Sequence, residues 1–136
     1  MLRSRWGARR RAEHARRTNR AVRALVDAAR SADASGIAAL LSENATLVID
    51  AGSHAIGEAS SGRASGAMAA ARQLLSLLDS FPDRRLIQHE INGAAGIVVR
   101  SNGRVVGVIA VAMRGSGITH VWVIANPDKL AHWGRT

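Results

Sequence analysis

The side chains of this chain best suited to move a proton near neutral pH are its histidines, at positions 14, 54, 89, 120 and 132, together with the carboxylate of Asp50. Asp50 closes the apolar, β-branched run Ala45 to Asp50, and His54 follows four residues later, close enough for an Asp/His pair. Side chains alternate along a strand, so His120 shares a sheet face with Trp122 and Ile124. Two rings and one polar handle suit a ligand cavity, and they suit a dimer interface as well. His89 and Glu90 are neighbours in one strand and point to opposite faces, so at most one of them turns inward. His14 and His132 stand in the terminal segments and read as solvated. The set for acid–base work is therefore Asp50 and His120, assisted by His54 or His89. No spacing puts two histidines and a carboxylate on one face, which argues against a metal site. Cysteine is absent, which excludes disulfides and thiolate chemistry. No cofactor is expected.

The elements that would position these groups follow from periodicity. Ala12 to Arg30 reads as a helix with the apolar stripe Ala15, Val22, Leu25, Val26 and Ala29. Asp33 or Ser35 can cap a short second helix over Gly36 to Leu41, and Ala45 to Asp50 is the first strand. A short second strand is expected around Ala55–Ile56, then a Ser/Gly-rich loop from Gly57 to Gly66 and a helix from Ala67 to Leu78 ahead of Pro82. Four strands close the chain at about Arg85 to Asn92, Ala94 to Arg100, Arg104 to Met113 and Ile118 to Ala125. Their turns are Asn92-Gly93, Ser101-Asn102-Gly103 and Gly115-Ser116-Gly117. In this arrangement Met68, Leu74, Leu78, Val98, Ile109, Val111, Met113 and Trp122 are the apolar residues expected to line a substrate cavity.

With 136 residues, 47% of them hydrophobic, the chain is long enough to bury one core and is read as a soluble, cytoplasmic domain without a membrane span. The net charge of +9 is unevenly placed. Residues 1 to 30 hold ten arginines against Glu13 and Asp27, whereas residues 31 to 136 hold nine basic and eight acidic residues. The division expected is a basic extension over residues 1–20 and a near-neutral domain over 21–136. No apolar run follows the arginines, so no signal peptide fits. The basic run is read first as a solvated helix and second as a surface for an acidic partner or for nucleic acid, where each neutralised phosphate would release counterions.

Asn92-Gly93, the phrase Gly103-Arg104-Val105-Val106-Gly107 and the ending Asn126-Pro127-Asp128-Lys129-Leu130, in that order, carry a family resemblance. The chain resembles the carboxy-terminal domain of SigJ-type extracytoplasmic-function sigma factors, a SnoaL-like branch of the nuclear-transport-factor-2-like folds. The resemblance implies an α+β cone, a curved antiparallel sheet wrapped around about three helices. In the wider family a carboxylate near Asp50 serves as general base. Asp50 stands one residue later than in the steroid-isomerase pattern, a slip that turns a strand side chain to the other face. The sigma-type domains carry an Asp-Gly-Gly-Gly turn here, implicated in regulating the sigma core, where this chain has Asp50-Ala51-Gly52-Ser53. Asp50 thus reads either as a pocket acid or as a turn-forming carboxylate. The resemblance also implies that the chain starts near the junction with the sigma regions.

Three functions fit these residues. The first is a stand-alone, cofactor-independent enzyme acting on a hydrophobic small molecule: a polyketide-type cyclase, isomerase or epoxide-opening enzyme of bacterial antibiotic or other secondary-metabolite synthesis. It would work by proton transfer or by holding a flexible substrate in a reactive shape. The second is a sigma-factor-derived regulatory module that binds a sigma core or RNA polymerase. The third is a non-catalytic ligand-binding or dimerisation domain. A homodimer is expected in each case, and the Asn126 to Leu130 segment reads as a strand terminator in which Asp128 caps the turn and Leu130 and Trp133 pack the tail.

Overall fold

A computed structural model of the chain describes residues 2–52 and 62–131, with side chains from residue 5 onward. His54, His132, Trp133 and the strand expected at Ala55–Ile56 lie outside the described residues.

Helix α1 spans Leu2–Arg30 and starts ten residues earlier than its apolar stripe predicts. Arginine and alanine, strong helix formers, make up much of it, and its one glycine, Gly7, does not break the helix. Only the second half is held by packing: Thr18, Val22, Leu25, Val26 and Ala29 are buried, and most residues before Thr18 are exposed. The helix ends where Ala32 adopts a left-handed conformation, φ 51°, and the Asp33 N–H returns to the Ala28 carbonyl. Asp33 then caps α2 (Ala34–Leu40) by accepting from the Gly36 N–H at 2.9 Å.

Leu41, expected at the end of that helix, instead begins strand β1 (Leu41–Asp50), because it pairs with Ile118. Strand β2 is Gly62–Ser65, inside the segment read as a loop. Gly-Arg-Ala-Ser carries little strand signal, but the backbone ladder to Thr46–Ile49 needs no particular side chain, and an edge strand tolerates exposed ones. Helix α3 (Ala67–Asp79) follows, then β3 (Arg85–Ile91), β4 (Ala94–Ser101), β5 (Arg104–Arg114), β6 (Gly117–Ile124) and the one-turn helix α4 (Pro127–Leu130). Asn92-Gly93 and Asn102-Gly103 both have positive φ, as two-residue hairpin turns require.

The six strands form one sheet in the order β2-β1-β6-β5-β4-β3. The expectation of an antiparallel sheet holds for every neighbouring pair except β1 and β6, which run parallel. That pairing is possible because the chain between them is a long crossover through α3 and four strands, rather than a hairpin.

One face of the sheet, with Leu47, Ile49, Leu86, Ile97, Val99, Ile109, Val121 and Val123, packs against α1, α2 and α3. Leu25, Ile37, Leu74 and Leu78 complete this core from the helices, each less than 2% exposed. By alternation the opposite face carries Val48, Ile87, Val98, Val108, Ala110, His120 and Trp122. Near one end of that outer face α4 lays Leu130 onto Ile91 and Val108. Among the described residues no helix is long and apolar enough to cross a membrane.

Candidate functional site

The inward stripe of α1 changes chemistry along its length. From Val22 to Ala29 it is apolar and buried in the core. Toward the amino terminus the same stripe continues through Thr18 and Asn19, then His14 and Ala15, then Arg11, at the three- and four-residue spacing of one helix face. There the helix and sheet part to leave a cavity of about 970 Å³. Arg10, Arg11, His14, Ala15, Thr18 and Asn19 form its helix wall. Its sheet wall contains Gln88, His89 and Glu90 from β3, Ala95 from β4, and Val111 and Met113 from β5.

The walls are braced where they meet. Gln88 Nε2 donates to the Asn19 carbonyl at 3.4 Å, and Thr18 Oγ1 donates to the His14 carbonyl at 2.9 Å, so the buried hydroxyl is satisfied within its own helix. Further down the helix, Arg30 Nη2 donates to the Leu86 carbonyl at 2.7 Å and ties α1 to β3. The result is an apolar floor of Ala95, Val111 and Met113 on the sheet below a polar rim. His14 on one wall and Glu90 on the other are titratable groups available to a bound molecule.

Of the eight apolar residues expected to line a cavity, Val111 and Met113 lie in the wall of this one. Leu74, Leu78 and Ile109 fill the solid core instead. Met68, in the first turn of α3, is 38% exposed and is not part of the wall. Val98 and Trp122 are on the outer face, because their strand neighbours Ile97, Val99, Val121 and Val123 take the inward positions.

Of the four residues expected to transfer protons, Asp50 and His120 lie away from this cavity. His120 is exposed on the outer face, its ring stacked on Trp122 with centroids 5.3 Å apart and planes 8° from parallel. Its Nδ1 lies 3.1 Å from Thr119 Oγ1. His89 stands opposite Gly96 and meets the cavity at its rim, with Nδ1 2.8 Å from the Glu90 carbonyl oxygen. Asp50 pairs with Ile124 and shares the outer face with Val48. His54 lies outside the described residues.

Asp50 belongs to a separate arrangement at the end of the sheet. Its Oδ1 accepts from the Gly52 N–H at 3.0 Å, and its Oδ2 accepts from Lys129 Nζ at 2.5 Å. The lysine hydrogen bond, followed by the Gly52 N–H, holds its carboxyl below the usual aspartate range, against a smaller opposing effect of desolvation. Gly52, at φ 72°, lies so close to Asn126 that a Cβ there would come within 2.7 Å of the amide. Asn126, rather than the expected Asp128, caps α4: its Oδ1 accepts from the Asp128 N–H at 3.1 Å. The Asp50–Gly52 turn and the Asn126–Leu130 segment, far apart in sequence, are therefore one contact.

The polar cavity residues Arg10, Arg11, Thr18, Asn19, Gln88 and Glu90 did not figure among the expected site residues. For the helix residues Arg11, Thr18 and Asn19 the signal lies in the periodicity of α1, whose inward stripe continues past Ala15 to polar residues that a simple core would not place there.

No family model matches the chain, and no curated protein matches it. Solved structures do. The extracytoplasmic-function sigma factor SigJ of Mycobacterium tuberculosis is 21% identical with a TM-score of 0.62, over 83% of this chain and 43% of that one. The chain thus spans less than half of SigJ. A putative polyketide cyclase from Xanthomonas campestris pv. campestris is 19% identical with a TM-score of 0.57, over 87% of this chain and 97% of that one. A steroid delta-isomerase from Pseudomonas aeruginosa is 17% identical with a TM-score of 0.59, covering 87% of this chain and 85% of that one. At these identities the likeness is one of fold.

Proposed function

We propose that this chain, which folds as an α+β cone of the nuclear-transport-factor-2-like, SnoaL-like kind, binds a hydrophobic small molecule between α1 and the inner sheet face and acts on it without a cofactor. The cavity of about 970 Å³ above Val111 and Met113 carries this reading. Its volume suits a molecule of polyketide or steroid size, and an apolar floor holds such a molecule without specifying its orientation. The reaction types in keeping with structures of this fold are cyclisation, isomerisation and epoxide opening, in a bacterial secondary-metabolite pathway.

The mechanism that fits the lining is confinement of a flexible substrate in a reactive shape, with His14 and Glu90 available to shuttle a proton and His89 at the rim. Asp50 and His120 are then supporting residues, one tying the end of the sheet and the other covering its outer face. Residues 1–20 act as a basic extension that supplies much of the helix wall to the domain at 21–136, in a cytoplasmic protein. The outer face around His120 and Trp122 pairs two copies of the chain. Comparison of metabolites from a wild-type and a deletion strain tests the reading, with Met113→Trp returned to the deletion strain. A substrate that accumulates in the deletion strain and is not consumed when Met113→Trp fills the cavity supports it. An unchanged metabolite profile opposes it.

A second reading, a regulatory module for a sigma core or RNA polymerase, is favoured by the contact between the Asp50–Gly52 turn and the Asn126–Leu130 segment. Co-elution of the purified chain with a sigma core, lost in Lys129→Met, would support that reading over the enzymatic one.

A further inference from the structure

We infer that the molecule received by this cavity is an apolar carboxylic acid, its carboxylate held by Arg10 and Arg11 at the helix wall and its apolar body laid on Val111 and Met113. The inference rests on the cavity being a small-molecule site, and it adds the charge of the ligand. Three observations support it.

The first is where the arginines stand. Arg11 continues the stripe that buries Val22, Leu25, Val26 and Ala29, so it faces the sheet, and Arg10 flanks it in the same wall. The second is how they are held. Arg10 lies over the Trp6 ring, 5.9 Å from its centroid, a contact that holds the guanidinium at the rim. The Arg11 guanidinium lies along the helix against Gly7, where a Cβ would come within 3.2 Å of its Nη1. The third is their charge balance. Among the described residues the ion pairs join Arg84 to Asp79 and Lys129 to Asp50, so neither Arg10 nor Arg11 has a carboxylate of the protein within ion-pair distance. A planar guanidinium offers paired N–H donors that match a carboxylate, and two of them beside an apolar floor select a ligand with one anionic end. Glu90, on the facing wall, disfavours an anion placed against the sheet and so directs the acid end toward the helix.

The test uses the full chain, with N-phenyl-1-naphthylamine as an uncharged fluorescent probe of the apolar floor and decanoate and 1-decanol as competitors. Decanoate is expected to displace the probe at about a tenfold lower concentration than decanol, the scale of one charge-assisted contact. In Arg10→Gln/Arg11→Gln the preference should vanish while the probe affinity stays within about twofold of wild type. Charge-matched Arg85→Gln/Arg100→Gln, at a separate depression lined by Arg84, Arg85 and Arg100, should keep it, and Glu90→Gln should enlarge it. If the probe binds but decanoate has no advantage, or if Arg85→Gln/Arg100→Gln abolishes the advantage, the assignment of the acid end to Arg10 and Arg11 is wrong and the apolar cavity stands. If the probe is not bound by the folded wild-type chain, the small-molecule reading fails and takes the inference with it.

Discussion

Lys129 donates to Asp50 across 79 residues of sequence, at 2.5 Å, and this bond fastens the last helical turn to the end of the first strand. Two phrases that look unrelated in the sequence thus make one latch, completed by Gly52 against Asn126 and by Leu130 on Ile91 and Val108.

The latch makes stability depend on acid pH. The Asp50 carboxyl is depressed in the folded chain by Lys129 and the Gly52 N–H. Its contribution is therefore full above the unfolded aspartate value, near pH 4, and is lost as pH falls through the lower folded value. Asp50→Asn should flatten the acid limb of a denaturation series below about pH 4 and leave the slope between pH 6 and 8 unchanged. A carboxyl-carbon NMR titration placing the Asp50 midpoint at or above the ordinary aspartate value would contradict this.

Gly52→Ala should destabilise the chain more than Gly115→Ala. Both glycines have positive φ, which alone costs an alanine about 1 to 2 kcal/mol. At Gly115 a Cβ meets no atom within 4 Å, whereas at Gly52 it displaces Asn126 and with it the α4 cap, adding about 1 kcal/mol. Urea titration of the two variants measures the difference, and equal losses would show that Asn126 yields freely.

Leu74 and Met113 should separate core from cavity. Leu74→Ala opens a hole in packed interior and is expected to lower stability by about 2 to 5 kcal/mol. Met113 is only partly buried and borders open space, so Met113→Ala should cost less than about 1.5 kcal/mol while weakening N-phenyl-1-naphthylamine binding. The opposite order of the two losses would mean that the cavity is occupied by side chains in solution.

Trp122 is 40% exposed on a sheet face that also presents Val48, Ile87 and Ala110. Trp122→Glu should shift sedimentation toward the monomer and leave the far-ultraviolet circular dichroism spectrum unchanged, since a charge at the centre of an association surface opposes it. A wild-type chain that sediments as a monomer at tens of micromolar removes the proposed pairing.

The last four strands are legible in the sequence because Asn-Gly turns and β-branched runs are local signals, and β3 to β6 fall within a residue or so of where those signals put them. Alternation also groups His120 with Trp122 correctly, but period two does not say which face is inside, and β6 is apolar on both. Val121 and Val123 take the interior because the helices pack on that side of the sheet, a fact of tertiary packing. Strand β2 was illegible for a different reason: Gly62–Ser65 is a strand by virtue of its ladder to β1 alone. The cavity is half legible. Val111 and Met113 are legible as apolar strand residues, whereas His14 is exposed, as a terminal residue should be, and only the placing of α1 against the sheet brings it to the cavity wall.

The parallel pairing of β1 with β6 also sets the order in which this molecule can assemble. Strands β3 to β6 join through short turns and can zip from neighbour to neighbour. The register between Thr46 and His120 instead closes a loop of roughly 70 residues, whose entropic cost is repaid only after β6 exists. On the ribosome the amino-terminal half must therefore wait until β6 has emerged before β1 finds its inner edge. Until then Leu47 and Ile49 remain uncovered by β6, which makes the interval before completion the one in which two unfinished chains would exchange strands.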